Sequence, residues 1–455
     1  MTSLAIKDDF LKRVLFLALV GIGLSSIFLA DKLNEYVLVI LPIGVAGLGA
    51  LLKSPEILVG SVFAGRNFFG LLLETAKFEQ PILMYIAIGA VSAFSLLYLF
   101  IRSDTKLPER INLTMLAVFL LFAVFIFNIS RTSFPYYTTI KTVVLLTSSI
   151  LPFVLIISIR HPEAFFGKTL IFAILLTILP ILYSYGVLVT TGIMNSFGRF
   201  NPMELVHVNQ FARGLGFIII ISCWFFLQKK TSLVKLSQMI FMLLALILIL
   251  LSGSRGGFLA TVFGILTLIV IKRSIPSAKK IMLILAITTI VVLMLVLGIG
   301  SVSSRMSNLR NIDLSVAGRI GMLRAAWEHK WDHILFGRGT GNFASILPAW
   351  AVGANLRHPH NIFVEYYIEW GLIGLMIFFL IYFAPFLAWI KIRKDKFVGH
   401  KLESYADLAL ALIVFSGANG LTNSAITDPM FFLAIGLMVS IHLQLQNRRA
   451  ECTSQ

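Results

Sequence analysis

The sequence predicts an all-α polytopic membrane protein with about 12–14 transmembrane helices and one large external loop that contains short helices. Of the 455 residues, 58% are hydrophobic and only 13% are charged, and the mean hydropathy is +0.92. Soluble domains average about 45–50% apolar and about 25% charged residues. The apolar residues form runs of about 20 along the whole chain, the length with which an α-helix crosses the hydrocarbon core.

The apolar runs follow one another from the N-terminus. The first lacks a following A-x-A-like cleavage site, so we expect it to remain as a helix. The run at 57–75 is irregular because Arg66 lies at its middle, within FAGRNFFG. A re-entrant or interfacial segment is the alternative there, which sets the lower limit of about twelve spans. The series is 14–30, 36–52, 57–75, 82–101, 111–129, 139–159, 169–190, 208–227, 235–252, 256–272, 280–300, 364–390, 405–424 and 429–445.

The lysines and arginines between the runs predict the orientation. With the N-terminus in the cytoplasm, the inside segments carry about 23 basic residues and the short outside loops about six. This alternation requires run 57–75 to cross the membrane. The positive-inside bias and contact with anionic membrane lipids then explain the net charge of +17, so no nucleic-acid partner is expected. The outside residues are Lys32, Lys77, Arg131, Lys141, Arg199 and Arg255.

The orientation divides the chain into three parts: a transmembrane bundle over 1–300, a large external loop over 301–360, and C-terminal transmembrane helices with a cytoplasmic tail over 361–455. Within the loop, the stretch GRGTGNF is a glycine-punctuated turn that lacks the Gly-Lys-Ser/Thr of a Walker motif. The preceding stretch AGRIGMLRAAWEHKWDHI has helical spacing. It predicts an amphipathic helix whose apolar face is formed by Ile320, Leu323, Ala326, Trp327 and Ile334.

Three basic stretches are predicted to reach the external face together. An arginine at the head of a membrane helix is costly unless it is paired or hydrated. For Arg255 the alternative is a side chain that extends into the lipid headgroups. Arg199 could instead be a loop residue without a role in the site, and Arg213 could be paired with Glu204. The stretches are SFGRFNPMELVHVNQFARG with Arg199, His207, Asn209 and Arg213, LSGSRGGFLA with Arg255, and RHPHN with Arg357, His358 and His360.

The stretch HPHNIFVE begins a predicted helix with two carboxylates, Glu365 and Glu369, four residues apart. This spacing puts both on one helix face. They can hold His360 or a neighbouring arginine in place, although structural pairing is the preferred interpretation. No His-Glu-x-x-His, cysteine pair or aspartate cluster indicates a metal centre, and Cys223 and Cys452 predict no structural disulfide.

Taken together, these motifs resemble the bacterial O-antigen ligase family, within the O-antigen ligase and polymerase superfamily of polytopic membrane glycan transferases. His360-Asn361, nine residues and then Gly371-Leu372-Ile373-Gly374 fit the ligase pattern. SGSRGG is similar to the arginine turn of the superfamily, and GRIGMLRAAW with GRGTGNF is similar to the part of its external loop before the histidine. The resemblance implies transfer of O-antigen polysaccharide from undecaprenyl diphosphate to a hydroxyl of the lipid A core oligosaccharide. It also implies a place in lipopolysaccharide biosynthesis, at the periplasmic face of the bacterial inner membrane.

The resemblance also implies the roles of individual residues. His360 and Arg255 would be catalytic, and Asn361, His358 and Glu365 would support them; no cofactor or metal is expected. A polymerase that joins undecaprenyl diphosphate-linked repeat units is the alternative enzyme, and a transporter of polyprenyl-linked glycan is the alternative from another class. The diphosphate would be bound by Arg199, Arg213, Arg255 and Arg357.

Overall fold

The computed structural model describes residues 54–75, 82–101, 112–159, 161–191, 199–204, 206–228, 231–296, 314–347, 359–396, 398–422 and 429–453. Throughout these ranges the regular elements are helical, which confirms the all-α prediction. The predicted spans 14–30 and 36–52 lie outside the described residues, as do Arg357 and His358.

The helices agree closely with the predicted runs. In chain order they are α1 Pro55–Thr75, α2 Ile82–Ile101, α3 Leu113–Ile129, α4 Pro135–Leu145, α5 Leu151–Ile157, α6 Pro162–Thr191, α7 Val208–Gln228, α8 Ser232–Leu251, α9 Arg255–Ile271, α10 Ser277–Val296, α11 Leu314–Glu328, α12 Ile362–Lys394, α13 His400–Gly420 and α14 Pro429–Thr453. A π turn, Leu146–Ile150, joins α4 to α5, and a 3₁₀ turn, Asn342–Ile346, follows α11.

Seven helical stretches within the described ranges are long and apolar enough to cross a membrane. Three shorter apolar helices accompany them, at Ala87–Leu96, Leu113–Ile129 and Arg255–Ile271. The chain is therefore a multi-pass membrane protein. The seven stretches are Pro55–Thr75, Thr138–Ile157, Pro162–Thr190, Val208–Gln228, Ser232–Leu251, Ile362–Lys394 and Pro429–Arg449.

The irregular run at 57–75 forms two helical segments joined at a kink, which together are long enough to cross a membrane. α1 packs against α6 and α2, and Gly65, in the left-handed region at φ 61°, kinks it at mid-length. Arg66 follows the kink, is only 5% exposed, and lies over the ring of Tyr85 at 4.9 Å. The arginine therefore faces the interior of the bundle rather than lipid, which is where a charge within a membrane helix is tolerated.

Lys141 corrects one assignment made from the sequence. We expected it to be a cation of a short outside loop, but it lies within α4 and is 6% exposed. Its Nζ donates to Glu365 Oε1 at 2.5 Å and to Glu369 Oε1 and Oε2 at 2.7 and 2.9 Å. Both carboxylates are completely buried. Lys141 is therefore an interior partner of α12 and does not belong in the count of loop charges.

α12 is broken where the ligase-like motif ends. Gly371 has φ 68°, and a Cβ there would lie 2.4 Å from the backbone of Leu335. The glycine-rich turn after α11 supplies the missing hydrogen bonds: Arg338 N–H donates to Ile368 O at 2.9 Å and Gly339 N–H to Glu369 O at 2.9 Å. The break therefore needs a residue without a side chain, and GRGTGNF is the segment that fills it.

The predicted apolar face of α11 is wrong. The side chains that pack against the protein are Met322, Ala325 and Ala326, which form a small core. Of the expected face, only Ala326 is buried; Ile320, Leu323, Trp327 and Ile334 are 54%, 41%, 68% and 40% exposed. The helix has apolar side chains on two sides, so periodicity alone could not show which side meets the core.

Candidate active site

A pocket of about 210 Å³ lies where α7 and α9 begin. It gathers residues that are far apart in the sequence, and three of the four arginines on its wall were predicted to bind an anion. No carboxylate belongs to the described lining, so the wall is strongly cationic. The lining residues are Arg199, His207, Asn209, Arg213, Gly253, Ser254, Arg255, Gly256, Gly318, Arg319, Met322, His360 and Thr422.

The turn that joins α8 to α9 presents Arg255. Gly253 has φ 65°, which allows the chain to reverse tightly, and the Ser254 hydroxyl caps α9 by accepting from Gly257 N–H at 3.4 Å. Arg255 is thus the first residue of a helix and lies half-buried at the positive end of its dipole. A guanidinium and a helix N-terminus at one position together favour an anion.

Arg199 is held against this turn. Phe200 N–H donates to Leu251 O at 3.0 Å, which places residue 199 beside Ser252. The guanidinium of Arg199 donates from Nε to Ser252 O at 2.9 Å and from Nη2 to Asn209 Oδ1 at 2.5 Å. Arg199 is therefore fixed in the pocket wall, in contrast to the loop decoration considered from the sequence.

Arg213 lies on α7, and His207 lies directly before it. Arg213 lies in the second turn and is 4% exposed. His207 precedes the helix, and its Nδ1 accepts from Asn209 N–H at 3.2 Å. Desolvation at the pocket wall lowers the pKa of His207 to about 4, with the charges of Arg199 and Arg213 acting in the same direction. His207 is therefore neutral near pH 7 and adds no charge to the site.

His360 reaches the pocket from the head of α12. It follows Pro359 and has φ 51°, a left-handed conformation that is uncommon for a residue other than glycine. Asn361 caps the helix: its Oδ1 accepts from Phe363 N–H at 3.1 Å and Val364 N–H at 3.2 Å. The capping is thus done by Asn361, which leaves the half-buried ring of His360 as part of the pocket wall.

Glu365 lies one turn further along α12, outside the lining. Lys141 donates to the side chains of both Glu365 and Glu369, and the backbone of Gly341 also hydrogen-bonds to Glu369. Structural pairing is therefore the role that the geometry gives them. Glu365 supports the site through the position of the helix.

Arg319 was missed by the sequence analysis. It lies on α11, three residues before the buried Met322, and both side chains line the pocket. The available signal was this spacing, because residues three apart share a helix face. The sequence placed Arg319 in the large external loop and gave it no role in the site. Only the folded loop shows that it faces Arg255 and His360 across one pocket.

Metal binding has no support in this part of the molecule. Among the described residues, no group of three or more His, Cys, Asp or Glu side chains has the arrangement of a metal site. The lining offers two histidines, one of which is neutral His207, together with four guanidinium groups, which repel a cation. The arrangement is suited to an anion instead.

The fold and the site together define a class of protein. It is an all-helical multi-pass membrane protein with an arginine-rich pocket at one end of its bundle. Residues 240–379 match the family model described as O-antigen ligase, so this part of the chain is similar to that family. The match supports a glycosyltransferase-like membrane enzyme of ligase or polymerase type. No curated protein matches the chain significantly.

The matched segment contains part of the pocket. It includes Arg255, Arg319, His360 and the break at Gly371, whereas Arg199 and Arg213 lie outside it. The motifs that carried the resemblance therefore fall in the segment that matches the family model. The first two arginines join the site through the fold of this chain.

Proposed function

We propose that the protein is an O-antigen ligase, which transfers a glycan from undecaprenyl diphosphate to a hydroxyl of the lipid A core oligosaccharide. The observation that carries the proposal is the arrangement of four arginines and His360 in one pocket whose described lining includes no carboxylate. A diphosphate is a membrane-tethered dianion or trianion, and arginine binds phosphate oxygens through two parallel hydrogen bonds.

Each group in the pocket has a part in the proposed reaction. The acceptor oxygen attacks the anomeric carbon of the donor, and the bond from that carbon to the diphosphate oxygen breaks. The diphosphate leaves with the electron pair, and Arg255, Arg199, Arg213 and Arg319 stabilise the charge that develops on it. His360 accepts the proton of the acceptor hydroxyl as the general base. Arg357 and His358 keep the roles predicted from the sequence.

Ligase is preferred to polymerase because the His-Asn-x₉-Gly-x-x-Gly pattern of residues 360–374 is ligase-like. A strain that lacks the gene distinguishes the two. Loss of polymer from lipid A core, with carrier-linked polymer still made, supports a ligase. Caps of a single repeat unit without long chains support a polymerase instead. By the charge bias of the loops, the pocket faces the periplasm of a bacterial inner membrane.

A transporter of polyprenyl-linked glycan is the rival from another class, since the same arginines bind an anion without chemistry. Transporters commonly place their sites near the bilayer midplane between repeated halves. The pocket here lies at the helix ends, at the starts of α7, α9 and α12. Purified enzyme in lipid vesicles, given donor and acceptor on one side, is expected to release undecaprenyl diphosphate and form the glycan–acceptor bond. Movement of the donor without bond formation would support the transporter.

The reaction is expected to need no metal ion, because guanidinium groups supply the positive charge that a metal would bring to the diphosphate. Purified enzyme treated with EDTA should transfer glycan at the untreated rate. A requirement for Mg²⁺ or Mn²⁺ that is not reproduced by changes in lipid headgroup packing would contradict this part of the proposal.

A further inference from the structure

A second polar site lies at the other end of the bundle. α9 begins at the arginine pocket and ends at Ile271, so its 17 residues separate the two sites by about 25 Å. A cavity of about 390 Å³ lies beside Lys272 and a cavity of about 510 Å³ beside Trp224, and they share Gln228, His400 and Ser404. By the charge bias of the loops, this end faces the cytoplasm.

The smaller cavity has a buried cation. Lys272 is 7% exposed, and its Nζ donates to Ser404 Oγ at 3.0 Å. The nearby carboxylates are already engaged: Glu403 pairs with Arg273 at 3.2 Å and with Arg393 at 3.4 Å.

Asp407, the other carboxylate of this cavity, is likewise engaged. It accepts from Trp389 Nε1 at 2.9 Å and lies 3.5 Å from Arg393 Nε. Burial lowers the pKa of Lys272 although the charges of Asp407 and Glu403 oppose this. An additional anion in the cavity would therefore stabilise the charged ammonium.

The larger cavity has an apolar side that includes the exposed Ile171. Ile171, Phe225 and Trp224 line it, and Ile171 is 42% exposed on α6. Trp224 stacks on Tyr405 at 5.1 Å and is fixed by its Nε1, which donates to Ser404 O at 2.8 Å. Lys168 and Lys401 border this cavity as well. The larger cavity thus adjoins the smaller cavity that contains Lys272, and further basic side chains lie along its edge.

We propose that the two cavities together bind a phospholipid of the cytoplasmic leaflet, with its anionic phosphate headgroup at Lys272 and Arg273 and one acyl chain along Trp224 and Phe225. Basic pockets between transmembrane helices on the cytoplasmic side commonly bind anionic headgroups. Free phosphate would share the headgroup chemistry. Free phosphate has no apolar group to fill the larger cavity, and this difference favours a lipid as the ligand. This site is separate from glycan transfer and stands whether or not the proposed ligase activity does.

The test uses the purified full chain, stripped of lipid in a zwitterionic detergent, and native mass spectrometry to count bound dioleoyl phosphatidylglycerol or phosphatidylcholine. We expect one tight phosphatidylglycerol per chain, and Lys272→Gln to weaken it about fivefold to tenfold. The matched control is Lys279→Gln, which removes an exposed charge outside both cavities and should leave the affinity unchanged. Arg273→Gln serves as the second variant if Lys272→Gln does not fold.

Three outcomes overturn the proposal. The first is equal phosphatidylglycerol affinity in wild type, Lys272→Gln and Arg273→Gln, and the second is equal affinity for phosphatidylcholine. The third is displacement of the lipid by millimolar inorganic phosphate, which would make the site one for free phosphate. An independent readout uses phosphatidylglycerol with brominated acyl chains: it should quench saturable tryptophan fluorescence in wild type, and Trp224→Phe should remove that component. Quenching that persists in Trp224→Phe contradicts the assigned path of the chain.

Discussion

Replacement of Lys141 by methionine is the sharpest test of how α12 is held. In wild type one ammonium donates to two completely buried carboxylates, Glu365 and Glu369, at 2.5–2.9 Å. At an effective dielectric constant of about 20, unit charges about 3 Å apart interact by about 5–6 kcal/mol. Relaxation and proton uptake reduce the net effect, and loss of one partner from a buried ion pair typically costs about 3–5 kcal/mol. We expect Lys141→Met to lower the free energy of unfolding by that amount.

The assay is equilibrium unfolding in mixed micelles of increasing dodecyl sulfate fraction, followed by tryptophan fluorescence. The matched control is Lys168→Met: this lysine is 69% exposed, lies 3.6 Å from Glu56, and should contribute less than about 1 kcal/mol. Since the destabilisation comes from uncompensated charge, adding Glu365→Gln and Glu369→Gln to Lys141→Met should recover at least half of the loss. A loss below about 1 kcal/mol in Lys141→Met, or no recovery in the triple variant, would refute the reasoning.

The remaining predictions concern the pocket and the helix break. Arg255→Ala should reduce glycan transfer at least about a hundredfold. Arg255→Lys should also be impaired, because an ammonium lacks the bidentate fork of a guanidinium. The controls are matched expression and Arg324→Ala, which changes an 81% exposed side chain and should stay active. His360→Ala and His360→Gln should each lose about 10²–10⁴-fold in kcat, with His358→Ala largely active; full activity in His360→Gln removes the general-base role. His207 binds its proton only below about pH 4 when folded, against about 6.5 when unfolded, so stability should fall as pH drops from about 6.5 to about 4. Unfolding midpoints at pH 5 and 7 should differ less in His207→Gln than in wild type, and an unchanged difference contradicts the assigned pKa. Gly371→Ala should lower both the unfolding midpoint and the transfer rate, because its Cβ would overlap the Leu335 backbone; a wild-type midpoint would show that the break tolerates a side chain.

The fold class could be predicted from the sequence because it depends on lengths of apolar sequence, and the bilayer fixes those lengths. Arg66 illustrates what the lengths of apolar runs do not show. Its charge made run 57–75 doubtful, but the side chain lies over Tyr85 of the next helix, and no pattern within 57–75 contains that contact. Lys141 was misassigned for the same reason: its two partners lie more than 200 residues away in sequence.

The site could be predicted in part because a charged residue next to an apolar run stands out in the sequence. Arg199, Arg213, Arg255 and His360 all line the pocket that the structure describes. Arg319 could not be found in the same way, because it sits in a polar loop where a charge is unremarkable. Its assignment required knowing which side of α11 meets the protein, and that choice depends on Ile368 and Phe343, which pack there from elsewhere in the chain.

The spacing within the ligase-like motif has a structural explanation. The nine residues between Asn361 and Gly371 form two and a half helical turns, about 14 Å long, with the cap at one end and the break at the other. The cap fixes the backbone beside His360, and the break is fixed by the turn that contains Gly337 and Arg338. One residue more or fewer would rotate the head of the helix by about 100° and move it by about 1.5 Å. A change between Asn361 and Glu365 would displace His360 from the pocket while the carboxylates still faced Lys141, so the spacing is set by the need to satisfy both ends at once.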